Sequence, residues 1–266
     1  VTLTLRIAAL LTAVIPAAAI VTTTTAAARG RNPSSVKQAL TELRHSVALG
    51  AGWSGFGTGS SVHARIHRVE GSDESTEILF KELAARSDDE VTIRYWDGEH
   101  REVIGDMRYS LDVPEFAESK ATRLEDDAVP VGGKVHPAQV YQFERTLRIL
   151  HETQTIRWTF WLAAGVSEGE LRRVTESTST DPTYGDNITD LKLTAMDVPI
   201  VVGRQTLHCH CRESEEMYID GKIERVRSCS SAAVPGGVVL ETVRVTENGK
   251  ETQRKEYIVI DYHVEH

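Results

Sequence analysis

In the stretch Ile156, Trp158, Phe160, Leu162 every second residue is apolar, with Arg157, Thr159 and Trp161 between them. A helix would scatter these side chains around its circumference, whereas an extended strand sets them all on one side. The same period of two runs through Val62, Ala64 and Ile66, which alternate with His63, Arg65 and His67. It returns near the end, where Ile258, Ile260, Tyr262 and Val264 alternate with Val259, Asp261, His263 and Glu265. Asp97-Gly98, Asp220-Gly221 and Asn248-Gly249 fall between such runs and are dipeptides of tight hairpins. Residues 53–266 are therefore expected to form a mainly β domain, an antiparallel meandering sheet with one face buried. The stretch from Pro114 to Pro137 is richer in charge, Gly and Pro, and reads as a long connection, with a subdivision of the domain near 114–137 as the alternative.

Three pairs of segments echo one another. Trp161–Glu176 resembles Cys229–Arg244 at a shift of 68 residues, so that Ser167-Glu168-Gly169 falls on Pro235-Gly236-Gly237. Asp127–Pro137 resembles Met196–Thr206, and Thr58–Ser75 resembles Gly236–Gln253 with Gly71 on Gly249. Reuse of a strand, a glycine-bearing turn and a long strand pair is what neighbouring units of one meandering sheet require.

The first 28 residues hold one charge, Arg6, followed by an apolar run from Ile7 to Val21 and then small residues. That order is a secretory signal peptide over 1–28, with cleavage after Ala26-Ala27-Ala28 or, further upstream, Ala17-Ala18-Ala19. The apolar run is shorter than the roughly 20 residues of a bilayer span and Pro16 interrupts it, so no transmembrane span is expected in the mature chain. The expected address is the periplasm or the exterior. Residues 29–52 read as an amphipathic helix and linker. Pro33 and Ser34 start it, Val36, Leu40, Leu43, Val47 and Leu49 recur at helical spacing, and Gly50 and Gly52 stop it. Without Arg6 the chain carries 29 basic against 39 acidic residues. With no basic stripe bearing interleaved aromatics, nucleic acid is not an expected partner.

His208-Cys209-His210-Cys211 is the densest group of metal-ligating residue types. On a strand the histidines face one way and the cysteines the other, so the four cannot converge on one tetrahedral ion. His208 and His210 remain the pair for a metal site that borrows further ligands. A disulfide suits an oxidising compartment better. If the loop at Asp220-Gly221 has three residues, Cys211 lies opposite Cys229. A two-residue loop places Arg212 there, and a bulge brings in Cys209 instead. With three cysteines, one thiol is left over.

The remaining motifs point to no chemistry. Gly50-Ala51-Gly52-Trp53-Ser54-Gly55 matches G-x-G-x-x-G, but the expected helix precedes it and a strand follows, the reverse of a dinucleotide site. It reads as a loop in which Trp53 and Phe56 cover one end of the core. His63 and His67 lie too far apart along a strand to share a metal, and Asp88-Asp89-Glu90 and Glu125-Asp126-Asp127 lack calcium-loop spacing. Asn187-Ile188-Thr189 matches the glycosylation sequon. No nucleophile, base and orienting group stand in a recognisable local context, so no catalytic residue and no cofactor are assigned.

An exported chain with an N-terminal amphipathic helix followed by a meandering antiparallel sheet resembles the half-barrel superfamily of LolA/LolB/RseB-like periplasmic lipoprotein carriers. It is also similar to secreted bacterial proteins with a G-x-x-V strand start and a V-P-G-G turn, here Gly59-Ser60-Ser61-Val62 and Val234-Pro235-Gly236-Gly237. The resemblance implies a curved, half-barrel-like sheet whose concave face holds an acyl chain or a partner segment. It makes Trp158 and Phe160 candidate contacts, against ordinary core packing. The expected function is non-enzymatic binding of a lipid, another apolar ligand or a cell-envelope protein. The alternative is a metal-binding or redox protein built on His208 to Cys211.

Overall fold

The computed structural model describes Leu43 and residues 50–99, 101–111, 119–149, 152–163, 169–180, 186–218 and 220–266. The helix expected within 29–52 and the signal peptide lie outside the described residues, apart from Leu43 and Gly50 to Gly52. Ala51–Trp53 form a single 3₁₀ turn. None of the described helices is long and apolar enough to cross a membrane.

After that turn the chain is strand and hairpin. A first meander runs through β1 (Ser61–Glu70), β2 (Asp73–Arg86), β3 (Glu90–Asp97) and β4 (Val103–Ser110). Two short strands follow, β5 (Lys120–Arg123) and β6 (Asp127–Val131). A second meander comprises β7 (Lys134–Ile149), β8 (Glu152–Leu162), β9 (Glu170–Ser179), β10 (Asn187–Val202), β11 (Gln205–Met217), β12 (Ile223–Ser230), β13 (Val238–Glu247) and β14 (Lys250–His263). The two meanders join where β1 pairs antiparallel with β14, from Ser61 opposite His263 to Glu70 opposite Gln253. The product is one large open antiparallel sheet in the order β4-β3-β2-β1-β14-β13-β12-β11-β10-β9-β8-β7-β5, with β6 on the same edge of β7 as β5. Most of the stretch expected as a long connection is thus strand: β5, β6 and the start of β7 begin within it. Its Gly132-Gly133 pair is a two-residue hairpin link, not a linker.

The sheet is curled. β10 touches β14 although three strands separate them in the sheet, and the Tyr262 hydroxyl of β14 donates to Gln205 Oε1 of β11 at 2.5 Å, past the two strands between them. Register shifts between Leu193, Ala195 and Val198 interrupt the β10–β11 ladder, the kind of irregularity that bends a strand. The largest apolar cluster gathers Val62, Ala64, Ile66, Leu83, Ile93 and Val259 beneath Trp53 and Phe56, so those two aromatics do cap the core. A second cluster, Tyr141, Phe143, Phe160 and Leu162, is closed by Leu43. A third lies where the β6–β7 hairpin folds over β9 and β10, Gly132 N–H donating to Thr194 O at 3.1 Å.

One expected face is corrected. On β14 the buried residues are Tyr257 and Val259, whereas Ile260 is 40% exposed. Apolar residues occupy both parities of this strand, and a register shift opposite His63/Ala64 reverses which side faces the core. The echoed segments are hairpins in each case. Ala163 N–H donates to Gly169 O at 2.7 Å, and 68 residues on Ser231 N–H donates to Gly237 O at 2.8 Å.

The V-P-G-G turn between β12 and β13 has a tight structural role. Val234 is fully buried, Gly236 donates to Gly52 O at 3.0 Å, and Gly236 holds a φ of +79°. A Cβ there would stand 2.9 Å from Trp53 Nε1. Gly236→Ala is therefore expected to destabilise the fold by about 2 kcal/mol or more, through both the left-handed backbone and the displaced indole. Equilibrium urea denaturation measures this, and an unchanged midpoint would remove the turn from the list of structural anchors.

Candidate functional site

His208, Cys209, His210 and Cys211 all lie on β11. His208 is exposed with Nδ1 2.7 Å from Asp197 Oδ1, and His210 is half-buried. Cys209 is buried, and burial pushes its thiol up to about 11. Cys211 forms a disulfide with Cys229. Tyr218 pairs with Lys222, leaving a three-residue link in which Gly221 takes a φ of +81°. That loop length sets Cys211 directly opposite Cys229. The bridge commits Cys211 to sulfur, and among the described residues no three or more His, Cys, Asp or Glu side chains are placed to hold a metal ion.

Burial on β11 switches parity at the disulfide. Cys209 and Cys211 are buried, but beyond them Arg212, Ser214 and Glu216 are buried while Glu213 and Glu215 face solvent. These even-numbered residues belong to a face that register extends across the sheet. Phe160, Arg173, Leu191, Ser214, Val226, Val243 and Lys255 stand in one row, each directly opposite the next. The face is aromatic at one end, where Trp158 and Phe160 meet Phe143, Tyr141 and Leu43. It is charged in the middle, with Arg173, Arg212, Glu216 and Glu224 all buried. Trp158 is half-buried and Phe160 fully buried.

Burying charge is costly unless partners compensate, so the arrangement of these groups matters. Arg173 Nε lies 3.7 Å from Glu170 Oε1, and its guanidinium sits 5.8 Å from the Phe160 ring centre. Burial above all lowers its pKa, Glu170 opposes the change and Arg212 adds to it. Further along, Lys81 Nζ lies 4.6 Å from the Tyr257 ring centre and 5.9 Å from that of Tyr95. Burial, helped by the like charge of Lys255, brings Lys81 down to about 8 against the pull of Glu241.

Glu216 and Glu224 stand directly opposite each other on β11 and β12. Asn187 Nδ2 donates to Glu216 Oε1 at 2.8 Å, while the buried Oε2 has no hydrogen-bond partner. Burial first, and then the facing charge of Glu224, raises the Glu216 pKa over the opposing effects of Tyr218, Lys222 and Asn187. Burial raises Glu224 likewise, with Glu241 adding to it and Lys222 and Lys255 opposing.

None of these buried charges stands out in the sequence, because Arg212 to Glu216 is polar at both parities and reads as a solvated strand. The usable signal was the three-residue loop: once it is set, two glutamates face each other, which a solvent-exposed hairpin avoids.

No family model matches the chain, and no curated protein matches it. Among solved structures, a Bacteroides fragilis protein described as a "putative exported protein with YmcC-like fold" aligns over 78% of this chain and 97% of its own, at 8% identity and a TM-score of 0.34.

Two outcomes follow from this geometry. Cross-linking 18 positions apart, the disulfide is expected to contribute about 3 kcal/mol, so Cys211→Ala/Cys229→Ala should lower the denaturation midpoint as much as reduction does. Second, carboxyls raised in the fold contribute stability that is present in acid and lost as pH rises through their folded values. Glu216→Gln should therefore stabilise by about 1 kcal/mol at pH near 7, the gain vanishing below about pH 4. Urea titrations in chelator at both pH values measure it, and a Gln variant weaker at neutral pH would refute the repulsion.

Proposed function

We propose that the chain is an exported, non-enzymatic binding protein that takes an amphipathic ligand, an acyl chain with a polar head, on this face of the sheet. The observation carrying this reading is the single register-linked face that runs from the aromatic cluster around Phe160 to the buried charges of Arg173 and Arg212. An apolar chain gains by leaving water against Phe143, Phe160 and Trp158, and a polar head gains from charges already desolvated. Trp158, half-buried beside the fully buried Phe160, is the contact that reaches the ligand, and Phe160 is the floor behind it. Leu43, only 3% exposed in the same cluster, supports the match of this surface to aliphatic groups. Export agrees with the disulfide, which persists in oxidising compartments, and residues 1–28 serve as the cleavable signal.

The test is native mass spectrometry and organic extraction of protein purified from its exported fraction, with a fluorescent fatty acid as probe. A co-purifying amphiphile, a mature mass starting after residue 28 or at the upstream alanines, and a roughly tenfold weaker probe affinity in Trp158→Ala are expected. An extract free of lipid together with no probe binding would sink the proposal.

A further inference from the structure

Glu216 and Glu224 are unusual among the buried charges because each faces another acid. Register brings further side-chain oxygens onto the same patch. Thr189 lies directly opposite Glu216, and Asn187, Ser214 and Tyr218 are each two residues from a member of that pair, on the same face. Asn187 spends its amide N–H on Glu216, leaving its carbonyl oxygen. The donor set is thus all oxygen: two carboxylates, an amide, two aliphatic hydroxyls and a phenol. No thiol or imidazole lies among these residues. Glu216 is only 2% exposed, its Oε2 has no hydrogen-bond partner, and Asn187 and Thr189 are half-buried. The nearby cation Lys222 has its Nζ 5.0 Å from the Tyr218 ring centre.

We propose that Glu216 and Glu224, with Asn187, Thr189 and Tyr218, form a site for a hard divalent cation, calcium foremost. Hard cations take carboxylate, amide and hydroxyl oxygens, and the absence of nitrogen and sulfur from the set disfavours zinc or copper. A divalent ion cancels the repulsion between the facing carboxylates and gives the orphaned Oε2 a partner. Because the glutamates come from adjacent strands, the ion also ties the β11–β12 hairpin beside its turn, at the opposite end of the ladder from the disulfide. This site does not depend on the amphiphile reading, since it uses none of Tyr141, Phe143, Trp158 and Phe160.

The experiment compares thermal melts and calorimetric titrations of full-length protein, stripped with chelator, against calcium and magnesium. Calcium should bind with a stoichiometry of one and raise Tm by about 5 °C when it exceeds its Kd roughly a hundredfold, with a smaller effect of magnesium. Glu216→Gln and Glu224→Gln should melt no lower than wild type in chelator, which shows that they fold, and should lose the calcium response. Glu241→Gln, on the same face but two rows away, should keep it. Folded wild-type protein that neither binds nor melts differently in millimolar calcium overturns the proposal. A calcium response that survives in the Glu216→Gln/Glu224→Gln double variant overturns it equally.

Discussion

The pairing of β1 with β14 makes one sheet out of two. Each meander can satisfy its inner strands by local hairpins, but β1 and β14 would each be left with a row of unpaired N–H and C=O groups. Their ladder, between residues about two hundred positions apart, removes both edges and places β1 in the middle of the sheet. The apolar core follows from it: Val62 and Ala64 of β1 can only share a cluster with Val259 of β14 once these strands are adjacent. Ser60 reinforces the join at its end, its hydroxyl accepting the Glu265 N–H at 2.8 Å.

The two halves of the common face have different energetics. Over β1 to β3 it is an ordinary interior, in which Leu83, Val91 and Ile93 are fully buried and hydrophobic transfer supplies the gain. Over β9 to β12 buried arginines and glutamates interrupt that gain and return something only through specific partners. A fold selected purely for stability would replace Glu216 or Glu224 with an apolar residue of similar size. Desolvated charge of this kind is expensive as scaffolding.

Much of the architecture was legible in residue order. Period-two alternation identified the β domain, and Asp220-Gly221 narrowed the Cys229 partner to a small set from which the three-residue loop selects Cys211. The placement of Trp53 and Phe56 over the core also agrees with the loop reading of the glycine run. Other features were hidden for physical reasons. Tyr257 to Ile260 are apolar at both parities, so only the bulge opposite His63/Ala64 decides that Val259 is inside and Ile260 outside. β5 and β6 sit among prolines and glycines because they are short edge strands, where such residues are tolerated. Buried Arg212 and Glu216 are visible only through strand neighbours, which a local pattern does not contain.

The three cysteines impose an order of events on the maturing chain. Cys209 and Cys211 are nearly equidistant from Cys229 along the chain, so loop-closure entropy separates their two bridges by only about 0.1 kcal/mol. An unfolded chain oxidised at random would choose between them almost indifferently, and the wrong bridge keeps the same strand face, so alternation does not reject it. What rejects it is the hairpin at Gly221, which must close before sulfur meets sulfur. Fidelity of the covalent structure therefore rests on local folding outrunning oxidation, and the deep burial of Cys209 afterwards keeps the choice from being reopened.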